Sequence, residues 1–322
     1  MAAACVIGVD LGGTKLLAGA VDRDLGVHHR ALRPAVGVAQ PALLDLVVEA
    51  VDESREASGR EVAAVGFGIP CLIDQARGMA LMAVNLPLAD LPFRDVMTER
   101  LGLPVFIDND ANLAALAEHR FGAAAGARNA VVLTIGTGIG GGLILDGELY
   151  RGTIGAGAEL GHMVVDLDGP QCQGNCPNRG CLEAVASGSA LGREAARIAD
   201  ARPDSAFAGA RAAGRELTGQ LVTELAHDGD ADALEALELI GRRLGVGIAN
   251  LVNVFNPEVV VIGGGVIAAG ERLLEPAREE MAARALPPLR DVVKIVPARF
   301  AHEAGMVGAA ALAFDGLDAV AS

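Results

Sequence analysis

Apolar and polar positions alternate in short blocks along this chain, and the blocks change type at regular intervals. Residues 4–9 are apolar and read as a buried strand, which the turn Asp10-Leu-Gly-Gly-Thr-Lys15 joins to a second apolar run over 16–21. A helical pattern follows over 41–58, then a strand over 63–69, a short helix over 93–101, a strand over 105–107 and a helix over 111–121. Strands alternating with helices predict an α/β sheet covered by helices. The plan then starts again, with an apolar strand over 130–135, a glycine loop over 136–142 and a strand over 143–145. Two openings of one plan predict a duplicated fold with two facing sheets. Five glycines in the seven positions from Gly136 to Gly142 predict no regular element there.

Further along, helical patterns cover 189–226 and 231–255, with a polar break at 227–232. A fully apolar strand over 259–262 ends in Gly263-Gly-Gly265 and leads to a helix over 271–285. A strand over 292–296 and a helix over 305–314 close the pattern, and that last helix is expected to return to the first half. Residues 155–180 show no period and are expected to form a loop.

At 322 residues the chain has room for two domains. Its hydrophobic share is 52%, with 42 glycines, one Tyr and no Trp, which suits helices packed closely on sheets. A formal net charge of −15 argues against a nucleic-acid surface. A polyanion would have to be held locally, by backbone N–H groups and a metal ion. The first residues lack the basic segment of a signal peptide, and no apolar stretch reaches membrane-spanning length unbroken. Neither a membrane nor a nucleic acid is therefore an expected partner, and the expected location is cytoplasmic. Of the five cysteines, three fall within ten residues, which favours a reduced compartment and one metal site over a disulfide framework.

Four constellations carry candidate chemistry. In the first turn, Gly12 and Gly13 let backbone approach a phosphate, Thr14 and Lys15 add a hydroxyl and a cation, and Asp10 can hold Mg²⁺ through water. A plain hairpin turn accounts for the same residues. The stretch from Thr134 to Gly142 follows a strand and runs into another, whereas a dinucleotide loop must open a helix. That context favours a triphosphate clamp such as one for ATP, with Thr134, Gly136, Thr137 and Gly138 nearest the phosphates. Asp108-Asn-Asp-Ala-Asn112 offers helix caps, and equally a carboxylate able to take the proton of an attacking hydroxyl. Finally, His162 with Cys172, Cys176 and Cys181 completes a closed four-ligand set for structural Zn²⁺, flanked by Glu159 and Glu183.

Together with Gly68-Ile-Pro70 and Gly263-Gly-Gly265, these segments resemble the ROK family of bacterial repressors and sugar kinases, and within it the zinc-containing glucokinases. The resemblance spans the chain in the same order. It implies a two-lobed actin-like or hexokinase fold of ribonuclease-H-like type with a cleft between lobes. Residues 1–120 with 303–322 would form the small lobe, and 121–302 the large lobe carrying the zinc loop. Asp110 matches the catalytic base. Gly68, Asn85, Asn109, Asp110, Glu159, His162 and Glu183 match the sugar-binding set, and Gly264 and Gly265 lie where the nucleoside sits. The implied reaction is ATP- and Mg²⁺-dependent phosphorylation of a hexose, foremost glucose, in a homodimer or homotetramer. Other sugars, a polyol, or a polyphosphate donor share the motifs. A repressor would need a DNA-binding segment ahead of the first strand, which begins at residue 4. Two departures stand out. The first cysteine gap is Cys172-x3-Cys176 where the family commonly has one residue, and Cys71 replaces a glycine after Pro70.

Overall fold

The computed structural model describes residues 5–13, 15–83 and 86–321. Two five-stranded sheets organise it, and the second repeats the plan of the first. In the first half, β1 (Cys5–Leu11), β2 (Lys15–Val21) and β3 (Val27–Pro34) run as an antiparallel meander. After α1 (Gln40–Ser58), β4 (Val62–Ile69) pairs parallel with β1. A small antiparallel sheet of β5 (Cys71–Asp74), β6 (Met79–Ala83) and β7 (Ala89–Leu91) follows. Then come α2 (Phe93–Leu101), β8 (Val105–Asn109), which pairs parallel with β4, and α3 (Asp110–Phe121). The strand order is β3-β2-β1-β4-β8.

The second half opens with the meander β9 (Ala130–Ile135), β10 (Ile139–Leu145) and β11 (Glu148–Leu149). A loop leads to α4 (Leu182–Ala186), α5 (Gly188–Ala201), α6 (Ala206–Ala212), α7 (Gly219–His227) and the long α8 (Ala231–Phe255). β12 (Val259–Gly263) pairs parallel with β9. It is followed by α9 (Glu271–Arg284), α10 (Leu289–Val292), β13 (Lys294–Pro297) and α11 (Ala304–Ala321). Here the order is β11-β10-β9-β12-β13, the same topology as in the first sheet.

The central strands β1, β4, β9 and β12 are almost wholly buried, so each reads as an apolar run without alternation. Helix α11 lies on β1 and β4 and beside α3, the return expected of the last helix. Missing side chains allow this close approach: a β-carbon on Gly66 would overlap the Ala309 carbonyl, and one on Gly308 the Leu113 carbonyl.

One expectation from pattern is corrected, and two parts of the chain gain detail that the pattern did not carry. Gly140, Gly141 and Gly142 are not loop but lie in β10, paired with Thr134, Leu133 and Val132. Gly140 and Gly142 face α3: a β-carbon on Gly140 would lie 2.8 Å from the Ala111 methyl, and one on Gly142 would overlap the Ala115 methyl, while one on Gly141 would crowd Leu160 on the opposite face. The helical stretch expected over 189–226 is three helices, α5 to α7, interrupted around Pro203 and again over 213–218, with Ser205 and Thr218 capping the restarts. Strands β3 and β5–β7 went unread. Edge strand β3 is mostly exposed and rich in His and Arg, so it carries no apolar run, and the others are five residues or fewer.

Candidate active site and metal centre

Sheet register brings the first group of candidates together. Asp10 near the end of β1 pairs with Gly68 of β4, and Gly68 pairs with Asp108 of β8. All three strands are parallel here, so these residues share the carboxyl edge of the sheet, where open α/β sheets take their ligands. At the next step α3 begins. Asn109 is its cap: Oδ1 accepts from the backbone N–H of Ala111 at 2.9 Å and of Asn112 at 3.2 Å. Its Nδ2 donates to the Cys71 carbonyl at 3.4 Å. Because Asn109 fills the cap, Asp110 at the first helical position is not needed for it. Burial raises Asp110 above the ordinary carboxylate range, against the nearby N–H groups of Ala111 and its own backbone. Burial also raises Asp10, to about 7, with the Asp110 charge adding and Lys15 opposing. The Cys71 thiol is buried and bonds the adjacent Leu72 carbonyl at 3.3 Å.

Asp108, which the pattern offered with its neighbours as a cap or a proton acceptor, is fully buried. Its carboxylate accepts from Asn109 N–H at 2.7 Å, Asn112 Nδ2 at 3.1 Å and Arg151 Nε at 2.7 Å. Arg151 comes from the segment after β11, so an ion pair buried on its Asp108 side ties the second half of the chain to the start of α3. Nothing in local sequence announces this pair, because its members stand 43 residues apart.

The loop after Arg151 carries the second group. Glu159 precedes the single turn Leu160–His162. Desolvation by the surrounding loop raises the Glu159 carboxyl, His162 lowers it, and the charges of Asp110 and Glu183 raise it further. Glu159 therefore lies within electrostatic reach of Asp110, His162 and Glu183. Glu183 Oε2 accepts from the Ile139 N–H at 2.9 Å. A β-carbon on Gly138 would overlap that carboxylate, so a side chain there would displace Glu183 from the Ile139 N–H.

The donor atoms of His162, Cys172, Cys176 and Cys181 lie within 4.8 Å of one another. A tetrahedral zinc with Zn–S near 2.3 Å and Zn–N near 2.05 Å needs S–S edges of about 3.8 Å and S–N edges of about 3.5 Å. The Cys176–Cys181 sulfurs are 3.9 Å apart, and Cys172 Sγ is 3.5 Å from His162 Nδ1. The residues fit the ion, Cys172 included despite its longer gap. Burial pushes the Cys172 and Cys181 thiols up, so thiolates would coexist here only around a cation.

A cavity of about 1340 Å³ opens beside the β9–β10 turn. Gly136, Thr137 and Gly265 line it with Ser189, Arg193 and Thr218 from the helices. Gly12, Gly13, Lys15, Thr134, Gly138 and Gly264 do not line it. Lys15 is exposed at the start of β2 with its charge felt by Asp10, and Gly264 at φ 84° crowds the Ile135 backbone. The cavity-lining residues at the starts of α5 and α7 were missed because Ser and Thr near a helix start look alike whether or not a ligand lies beyond them. Thr14 and Asn85, both expected at the site, lie outside the described residues.

Residues 6–315 match the ROK family. The chain belongs to the ROK family. Among similar ROK proteins, the glucokinase of Streptomyces coelicolor is 35% identical over 95% of this chain and 96% of its own length. The glucokinase of Thermotoga maritima is 36% identical, again over 95% of this chain and 96% of its own. Among solved structures, a ROK family glucokinase from Streptomyces griseus, crystallised with glucose and AMPPNP, is 36% identical with a TM-score of 0.87. The match covers 97% of this chain and 100% of that one. The fold is accordingly the two-lobed actin-like hexokinase fold that the motifs implied.

Proposed function

We propose that this chain transfers the γ-phosphoryl group of ATP to glucose, forming glucose 6-phosphate. The observation that carries the reading is the likeness over the whole chain to a glucokinase crystallised with glucose and a non-hydrolysable ATP analogue. The site chemistry agrees with it. Asp110 accepts the proton of the sugar hydroxyl as that oxygen attacks phosphorus, and Asn109 and Gly68 hold the sugar beside it. Glu159, His162 and Glu183 grip the ring hydroxyls from the opposite loop. Thr137 and the flanking Gly136 and Gly138 receive the phosphates, and the nucleoside occupies the cavity beyond, toward Gly265. Magnesium carried with the nucleotide would be held through Asp10 and would neutralise charge on the transferring group. Zinc at His162, Cys172, Cys176 and Cys181 would supply order only, since protein atoms take all four positions. The lobes, 1–120 with 303–322 and 121–302, close on substrate and so exclude water. We further place the enzyme in the cytoplasm, as a homodimer or homotetramer.

The test is ADP release from ATP and magnesium with a panel of glucose, mannose, fructose, N-acetylmannosamine and inositol. Glucose should give the highest kcat/KM. A higher value for another sugar removes glucose as the substrate, and release that no sugar stimulates removes the transferase reading.

A further inference from the structure

One side chain joins the metal loop to the nucleotide cavity. Gln173 stands between the first two cysteines, and its carbonyl accepts from the Cys176 N–H at 3.3 Å, so its backbone is part of the Cys172–Cys176 turn. Its side chain leaves the metal cluster and meets the cavity wall. Nε2 donates to the Thr137 carbonyl at 3.2 Å and to Ser187 Oγ at 3.3 Å, and Oε1 accepts from Ser189 Oγ at 3.2 Å. Ser187 caps α5, with its hydroxyl accepting from the Ala190 N–H at 3.3 Å. Thr137 and Ser189 both line the cavity. The Thr137 carbonyl also accepts from the Ser189 N–H at 3.3 Å. Two donors therefore occupy that oxygen, which would otherwise be an electronegative group facing a triphosphate.

We propose that Gln173 is a positioning residue coupling metal binding at His162, Cys172, Cys176 and Cys181 to nucleotide binding in the cavity. The inference rests on the kinase and metal-site reading above. The loop that carries Gln173 has little regular structure, only the bridges Gln171 to Arg179 and Val164 to Cys181. With the metal in place its turn is fixed and Gln173 arrives already ordered, so nucleotide binding bears less of the cost of immobilising the wall. Coupling of this kind is reciprocal: if the metal tightens nucleotide binding by some factor, the nucleotide tightens metal binding by the same factor. Gln173 lies in the lengthened first cysteine gap, so this route belongs to the departure that sets this chain's metal loop apart.

The experiment uses the full purified chain and a chromogenic chelator, and follows zinc loss with and without the non-hydrolysable ATP analogue in excess magnesium. The analogue should slow zinc loss in the parent about tenfold, within the usual range of coupling. Gln173→Ala should keep its zinc when no nucleotide is present, bind glucose as the parent does, bind the analogue about tenfold more weakly, and lose the protection. Unaltered circular dichroism and melting temperature would show that the variant is folded. Should it fail to fold, Ser189→Ala, which removes the partner of Oε1, must reduce the protection instead. Full protection with unchanged analogue affinity in a folded Gln173→Ala overturns the coupling and leaves the metal site standing. Equal losses of glucose and analogue affinity also overturn it, since they mean general loosening. A parent that carries no metal as purified overturns the metal reading and the coupling together.

Discussion

Asp110 stands one residue inside a cap that Asn109 already fills, so its carboxylate is spared for another task. Desolvation supplies what a general base needs, a proton affinity above that of an ordinary aspartate. The base must be ionised to work, so kcat/KM should fall as pH drops through the raised pKa, an acid limb lying above the usual range for aspartate. Asp110→Asn preserves the shape but cannot take a proton. Turnover should drop about 10²–10⁴-fold while glucose affinity survives. Steady-state rates across pH together with calorimetric glucose binding check both halves of this expectation. A variant with near-normal turnover would return Asp110 to a supporting role in the helix start.

At the level of elements, α3 is shared property. Its first turn carries the proposed base, its glycine-faced side meets β10, and its other neighbour is α11. The Arg151–Asp108 pair fastens this helix start to the segment that leads to Glu159. Removing the arginine leaves a fully buried carboxylate with only amide donors, an uncompensated charge that costs more than the pair itself is worth. Arg151→Met should lower stability to urea by about 3 kcal/mol, toward the low end for a buried pair because the arginine is partly exposed. Asp108→Asn in the same chain should restore a large part of that loss, since the charge is gone. A double variant no more stable than Arg151→Met would mean that Arg151 acts through packing and not through charge.

Across the whole molecule the two equivalent sheets bring unlike edges to one place. Asp10 from the first sheet is held near neutrality in its proton affinity by burial and by Asp110. The sign of the consequence follows from linkage. A carboxyl whose folded pKa of about 7 exceeds its unfolded value binds more protons folded than unfolded between those limits. Its contribution to stability is therefore lost as pH rises through that window. Relative to the parent, ligand-free Asp10→Asn should gain melting temperature steadily from about pH 5 to about pH 7.5. Excess magnesium nucleotide, by pairing the carboxylate, should narrow the difference from the parent's side. A constant offset at all pH values would show that Asp10 is unperturbed.

How far the sequence alone reaches can be read from particular residues. The apolar runs of β1, β4, β9 and β12 are legible because a strand buried on both faces needs no partner to declare itself. The motif residues around Asp10, Asp110, Glu159 and the three cysteines are legible because their chemistry is local and their order along the chain is kept. Cavity residues such as Ser189 and Thr218 are not, since a hydroxyl in or before a helix's first turn carries no mark of what lies past the helix end. Gly140 to Gly142 read as loop, and only their pairing with β9, under the close approach of α3 to Gly140 and Gly142, makes them strand. The Asp108–Arg151 pair and the reach of Gln173 to Thr137 are likewise decisions of the tertiary structure. Each joins residues tens of positions apart, and a contact across that separation leaves no periodicity in the chain. The sequence by itself determined which residues are candidates for the chemistry and which segments can be buried. Only the packing of two sheets around α3 decided which of those residues meet, because burial and charge coupling are properties of neighbours in space.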